Sequence, residues 1–212
     1  MALFYQHNIN EDTKIGIWRI EEPEPFFLEK VPVKRDVSHP YKRLQHLAGR
    51  YLLPTLVDDF PMTEILVADT RKPYLEKEQY HFSISHCGNF AAAVVSNKNR
   101  VGVDIELVTP RIRTITHKFL TENEKAFLQE WELISKVHLE LTTIIWSAKE
   151  AIYKWYSVGP LDFKKHMRLA GPVTFDPNEW VELPFVFNKD AEIPLTIMAR
   201  VFDPLVVAYV VT

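Results

Sequence analysis

Cysteine and glycine are both scarce: Cys87 is the single thiol, and glycine occurs six times in 212 residues. One thiol cannot close an internal disulfide, and a tetrahedral cysteine-zinc site would lack its ligands. A reducing cytoplasm is the expected compartment. Glycines at 16, 49, 88, 102, 159 and 171 build neither G-x-G-x-x-G nor G-x-x-x-x-G-K-[ST]. Rossmann dinucleotide sites and P-loops need those glycines to bring backbone close to phosphate, so both are disfavoured. A basic excess is missing as well, with 25 Lys and Arg against 28 Asp and Glu and a net charge of -3. Bulk nucleic-acid binding is therefore not expected. No apolar run approaches the roughly 20 residues of a membrane helix. The first residues carry His7, Asn10, Glu11 and Asp12 where an export signal would be basic and then apolar.

What is present is an ordinary core composition, 47% hydrophobic and 25% charged. Residues 13–20 (TKIGIWRI) alternate apolar and polar, as a half-buried strand does. Glu21 to Pro25 breaks the pattern and reads as a loop. From Ser38 to Val57 the spacing is helical: Leu44, Leu47, Ala48, Tyr51 and Leu52 form one face, with Lys42, Arg43 and Arg50 near the polar side. Strands are expected at 81–84 and 90–96, around a break at His86-Cys87-Gly88-Asn89, and at 101–106 after an Asn97–Arg100 turn. Thr121 and Glu124 make a capping box. A helix is expected from about Thr142 to Ser157, stopping near Gly159-Pro160, and the tail is strand-like with proline-containing turns. This order predicts an α+β fold with antiparallel sheets.

Four constellations carry chemistry. In VGVDIEL, Asp104 and Glu106 stand at i and i+2 of an extended segment and point the same way, while Val101, Val103 and Ile105 can enter a core. Two such anions repel unless a cation joins them or one is protonated. An edge strand with a solvated acidic face would use the same residues. In WSAKEAIYK, Trp146, Glu150 and Lys154 share one helix face, an arrangement that also makes a common surface ion pair. SISHCG, Ser83 to Gly88, could offer hydroxyls and backbone N–H groups to phosphate oxygens, with His86 adding charge or a donor. A Cys87–His86 dyad is not expected, because neighbours in an extended chain point apart. The basic sets Lys42-Arg43 with Arg50, and Lys72-Pro73-Tyr74, suit phosphate or plain solvation.

Taken in order, SISHCG, GVDIE (Gly102 to Glu106) and WSAKEAIYK resemble motifs of the 4'-phosphopantetheinyl transferase superfamily. The likeness is to its larger single-chain branch, the surfactin- and enterobactin-synthetase-activating type. YKRLQHLAGR, Tyr41 to Arg50, resembles the basic amino-terminal motif of enterobactin-type members. The resemblance implies two similar α+β subdomains, residues 1–103 and 104–212, forming a pseudo-dimer within one chain, with coenzyme A in the cleft between them. It implies transfer of the 4'-phosphopantetheine arm from coenzyme A to a serine of an apo acyl, peptidyl or polyketide carrier protein, releasing adenosine 3',5'-bisphosphate.

By the same resemblance Asp104, Glu106 and Glu150 hold a metal, magnesium or alternatively manganese. Lys42, Arg43, Lys72, Pro73, Ser85 and His86 fall at or beside positions that contact coenzyme A. Glu150 would accept the serine proton, directly or through water, and Lys154 would balance or protonate the leaving phosphate. Arg71 departs from the pattern, since many members have glycine before the Lys-Pro pair. A cytoplasmic monomer, with no nucleic-acid or membrane partner, is implied. Two rivals stay open: a metal-dependent nucleotide or pyrophosphate hydrolase using the same carboxylates, and a non-catalytic module that binds coenzyme A or carriers.

Overall fold

The computed structural model describes residues 3–32, 37–70 and 72–212. Helices and antiparallel strands both contribute, so the class is α+β as expected from the sequence. The chain divides into two compact units, Met1–Ile105 and Glu106–Thr212.

In the first unit, β1 (Leu3–Asn8) pairs with β2 (Thr13–Arg19). A short helix α1 (Glu24–Leu28) and the long helix α2 (Pro40–Leu56) follow. After the small ribbon β3 (Leu66–Val67) and β4 (Pro73–Tyr74) come β5 (His81–Cys87) and β6 (Phe90–Ser96). The sheet order is β1-β2-β6-β5, every pairing antiparallel. One face of that sheet packs on α2 through Trp18, Phe82, Ala91, Ala93 and Val95, meeting Leu47, Ala48, Leu52 and Leu53. Alternation along β5 thus sends Phe82 and Ile84 toward α2 and turns Ser83 and Ser85 to the opposite face.

Gly49 sets how closely α2 approaches. A Cβ at that position would lie 2.5 Å from Ile84 Cγ2, well inside contact distance. Alanine normally favours a helix by about 1 kcal/mol over glycine. Here Gly49→Ala should instead destabilise the protein by about 1–3 kcal/mol through overpacking against β5. Urea unfolding reads this directly, and an equal or more stable Gly49→Ala protein would contradict the close packing.

The strand β7 (Val101–Leu107) carries the chain across the boundary between the units. The second unit then runs through α3 (Thr116–Phe119), α4 (Glu122–Gln129) and α5 (Ser135–Tyr156) into β8 (Met167–Leu169), β9 (Val181–Asn188), β10 (Glu192–Phe202) and β11 (Leu205–Val211). Strands β8, β9, β10 and β11 lie side by side in that order, antiparallel. Helix α5 covers them with Ile144, Ile145, Ala148, Ala151 and Ile152 against Ile197, Ala199, Val206, Ala208 and Val210. Each fully buried aliphatic side chain of this kind contributes about 1.5–3 kcal/mol.

The capping box forms as expected: Glu124 N–H donates to Thr121 Oγ1 at 3.2 Å and Thr121 N–H to Glu124 Oε2 at 2.8 Å. Several expectations need correction, and β1 had no expectation attached to it: it is an edge strand, mostly exposed on both faces, so burial does not enforce a legible alternation. The stretch read as a loop around Pro25 starts α1, because proline is accepted in a first helical turn, where its missing N–H would be unsatisfied anyway. Helix α5 begins at Ser135, seven residues before Thr142, with no side-chain cap to announce it. His86 and Cys87 belong to β5, so the hairpin break is Gly88-Asn89 alone, with Gly88 at φ +51°. Arg50, expected near the polar side of its helix, is covered to 6% exposure, its Nε–H donating to His46 Nε2 at 3.0 Å. No helix among the described residues is long and apolar enough to cross a membrane.

Candidate active site

The acidic pair sits on β7. Val101, Val103 and Ile105 are buried, as the alternation predicted. Asp104 is also buried, at 4% exposure, which excludes a solvated acidic edge at this position, while Glu106 is half-buried. The serines of SISHCG explain how β7 is held near β5. Ser83 Oγ accepts from Val103 N–H at 3.1 Å, and Ser85 Oγ accepts from Ile105 N–H at 3.3 Å. Two hydroxyls spaced i and i+2 on one strand meet two amides spaced i and i+2 on another, the period of extended chain. Ser85 then donates its own proton to Asp104 Oδ1 at 2.8 Å. Both serines are buried and face β7.

Glu106 is tied to α5. The indole N–H of Trp146 donates to Glu106 Oε1 at 3.2 Å. Trp146 stacks on Phe163, centroids 5.4 Å apart and 21° between planes, and touches Phe119 at 5.0 Å. Tyr153 stacks on the same Phe163 at 5.9 Å. Glu150 and Lys154 lie one and two helical turns beyond Trp146 on the same face, both half-buried. Glu106 is thereby brought to the helix face that carries Glu150.

One residue of WSAKE carries no signal in the motif's polar face. Lys149 is fully buried, and its ammonium donates to Phe119 O at 2.6 Å, Glu124 Oε2 at 2.8 Å and Phe163 O at 3.1 Å. All three of its protons therefore have acceptors. Both carboxylate oxygens of Glu124 are engaged in turn, since its Oε1 accepts from Leu169 N–H at 3.0 Å. Burial pushes the Lys149 ammonium below its ordinary range, and the Glu124 carboxylate opposes that. A different signal was available: Lys149 shares the apolar face with Ile145 and Ile152, at i−4 and i+3.

Of the basic candidates, Lys42 is exposed near the start of α2. Arg43 is engaged by Glu24 at 2.9 Å and by Val37 O at 3.2 Å. His86 is exposed at the end of β5, and Pro73 lies on β4 opposite Val67. Arg71 lies outside the described residues. Burial, reinforced by the like charge of Arg100, pulls the Lys72 ammonium down to about 8. In the sequence Arg100 reads as a turn residue; folding gives it a place beside Lys72. If Lys72 holds a phosphate of coenzyme A, as the resemblance implies, it must do so as the protonated amine, and affinity for coenzyme A should fall as pH rises through about 8. The free protein behaves oppositely: this group's contribution to stability is full above the unfolded value of 10.5 and is lost as pH falls through about 8. Titration calorimetry with coenzyme A on either side of pH 8, repeated with Lys72→Met, checks the first effect; a pH-independent difference between the two proteins would refute it.

Among the described residues, no three His, Cys, Asp or Glu side chains are gathered into a ready metal cage. The donor chemistry nevertheless fits a hard cation, since Asp104, Glu106 and Glu150 offer only carboxylate oxygens. Each hydrogen bond described above engages one oxygen of Asp104 or Glu106.

The arrangement defines an α+β protein with an acidic strand pair and an acidic-basic helix face. Residues 100–204 match the model of the 4'-phosphopantetheinyl transferase superfamily, a segment that contains both β7 and α5. Over that segment the chain is similar to the 4'-phosphopantetheinyl transferase superfamily. It is similar to the 4'-phosphopantetheinyl transferase AcpT of Escherichia coli K12, 35% identical over 118 residues, covering 53% of this chain and 57% of that one. It is also similar to enterobactin synthase component D of Salmonella austin, 33% identical over 117 residues, covering 55% of this chain and 48% of that one. The component D of Escherichia coli K12 is 32% identical over 116 residues, covering 53% and 54%. The chain thus spans about half the length of the curated relatives it matches.

Proposed function

We propose that this protein transfers the 4'-phosphopantetheine group of coenzyme A to a serine of an apo carrier protein, as a cytoplasmic monomer. The observation that carries this reading is the Trp146–Glu106 hydrogen bond, which turns the second acid of β7 toward the helix face of Glu150. Asp104, two residues earlier on the same strand, completes the donor set. Asp104, Glu106 and Glu150 would hold magnesium, or manganese in its place. A cation bound there supplies charge stabilisation at the phosphoryl oxygens. The remaining steps belong to the chain's own side chains.

A carrier serine is a weak nucleophile at neutral pH. Glu150 takes its proton, directly or through water, as the serine oxygen bonds to the β-phosphorus of coenzyme A. The anhydride bond to the α-phosphate breaks, and adenosine 3',5'-bisphosphate leaves with the bonding pair. Lys154 faces the same side of α5 and meets the charge on that leaving group. Lys42, Arg43, Lys72, Pro73 and His86 make up the surface for coenzyme A, with Arg43 exchanging its Glu24 partner for phosphate. We further propose that residues 1–103 and 104–212 are the two halves of the family's intramolecular pseudo-dimer. Each unit has one long helix, α2 or α5, laid on antiparallel strands, which supports that reading.

The test is to incubate the protein with coenzyme A, magnesium and a panel of apo acyl, peptidyl and polyketide carriers, and to weigh the carriers intact. A gain of one phosphopantetheine group on a carrier is the expected result. Consumption of coenzyme A without any carrier would favour a hydrolase, and binding without turnover would favour a non-catalytic module.

A further inference from the structure

Resting on the metal-site reading above, we propose that Ser85 and Trp146 are positioning residues for the two acids of β7, rather than contacts to coenzyme A. Each donates to one carboxylate oxygen: Ser85 to Asp104 Oδ1 at 2.8 Å and Trp146 to Glu106 Oε1 at 3.2 Å. Both donors are neutral. A neutral donor orients a carboxylate without cancelling its charge, so the acid keeps its attraction for a cation. A lysine or arginine in the same place would compete with that cation.

Both donors are themselves held in place. Ser85 Oγ accepts from Ile105 N–H at 3.3 Å, on the strand that carries Asp104, so strand and acid are fixed by one hydroxyl. Ser85 is 5% exposed and Asp104 4%, so the hydroxyl is turned inward to the acid. Trp146 is set between Phe163 and Phe119, which fixes the direction of its N–H. Donors locked by packing and bonded to ligand carboxylates set ligand geometry in metal sites, and losing one weakens metal affinity or activity by about 10–100-fold.

The two variants keep the packing and remove the donors. Trp146→Phe retains a ring to stack on Phe163, and Ser85→Ala removes one oxygen from the strand. Manganese binding to the full chain, followed by electron paramagnetic resonance with coenzyme A present, should weaken about 10–100-fold in each. Coenzyme A affinity measured without divalent ion should stay as in the parent protein. If Ser85→Ala loses coenzyme A affinity while manganese affinity holds, Ser85 is a phosphate contact and the assignment for it is overturned. Unchanged manganese affinity in both variants, with binding still lost in Asp104→Asn, overturns the inference alone. A parent protein that binds no manganese, or an Asp104→Asn variant that binds it normally, overturns the metal-site reading and this inference with it. Should Trp146→Phe fail to fold, Ser85→Ala still decides the matter.

Discussion

Asp104→Asn and Glu150→Gln should each lower phosphopantetheine transfer by roughly a hundred- to a thousandfold, the scale seen when a preorganised group that stabilises transition-state charge is removed. Both substitutions are near-isosteric. An amide at 104 can still accept from Ser85 Oγ, so the bond that ties Asp104 to β5 survives. What is lost is charge. The loss should appear in kcat at saturating coenzyme A, and raising magnesium should not restore it. The folded protein should be unharmed, because buried or clustered carboxylates cost stability in the absence of their cation. Unfolding midpoints measured without divalent ion should therefore match the parent or exceed it. Full activity in both variants at limiting magnesium would leave the acidic residues without the proposed role.

The largest stability effect is expected at Lys149. Lys149→Met strands the Glu124 carboxylate, 2% exposed, without its cation, and removes the donor from Phe119 O and Phe163 O. Breaking one side of a buried ion pair in this way costs about 3–5 kcal/mol. The consequence extends beyond the pair. Glu124 also caps α4 and accepts from Leu169 N–H, so one carboxylate joins α4, α5 and β8. Glu150 follows Lys149 directly on α5, and a helix free to roll would carry Glu150 and Trp146 with it. Urea unfolding of Lys149→Met, Glu124→Gln and the double variant forms a cycle. The double variant should lose clearly less than the sum of the singles, because its remaining partner no longer carries a buried charge. Additive losses would show that the two groups do not depend on each other.

Much of the second unit was legible. Thr121 and Glu124 announced α4 through local chemistry, alternation announced β7 at the unit boundary, and apolar runs between prolines announced the tail strands. Helix α2 was legible from its apolar face, and Gly49 alone shows why it can sit so close to Ile84. Elements without such local marks were missed or misplaced. The edge strand β1 buries little of either face, and the start of α5 has no capping side chain. Arg50 read as polar surface because sequence spacing assigns a face but not the depth of what covers it.

The residues proposed for phosphoryl chemistry, the acids at 104, 106 and 150 and the lysine at 154, and their spacing along strand and helix, follow from the sequence and its resemblance. Local periodicity is enough to fix which side chains share a face. Only the tertiary structure turned Ser83 and Ser85 to the amides of β7, buried Lys149 among three acceptors, and aimed the Trp146 N–H at Glu106. Those partners are separated by 14 to 40 residues along the chain. Hydrogen bonds are directional and short-ranged, so such pairs are decided by packing between elements and leave little trace in local sequence.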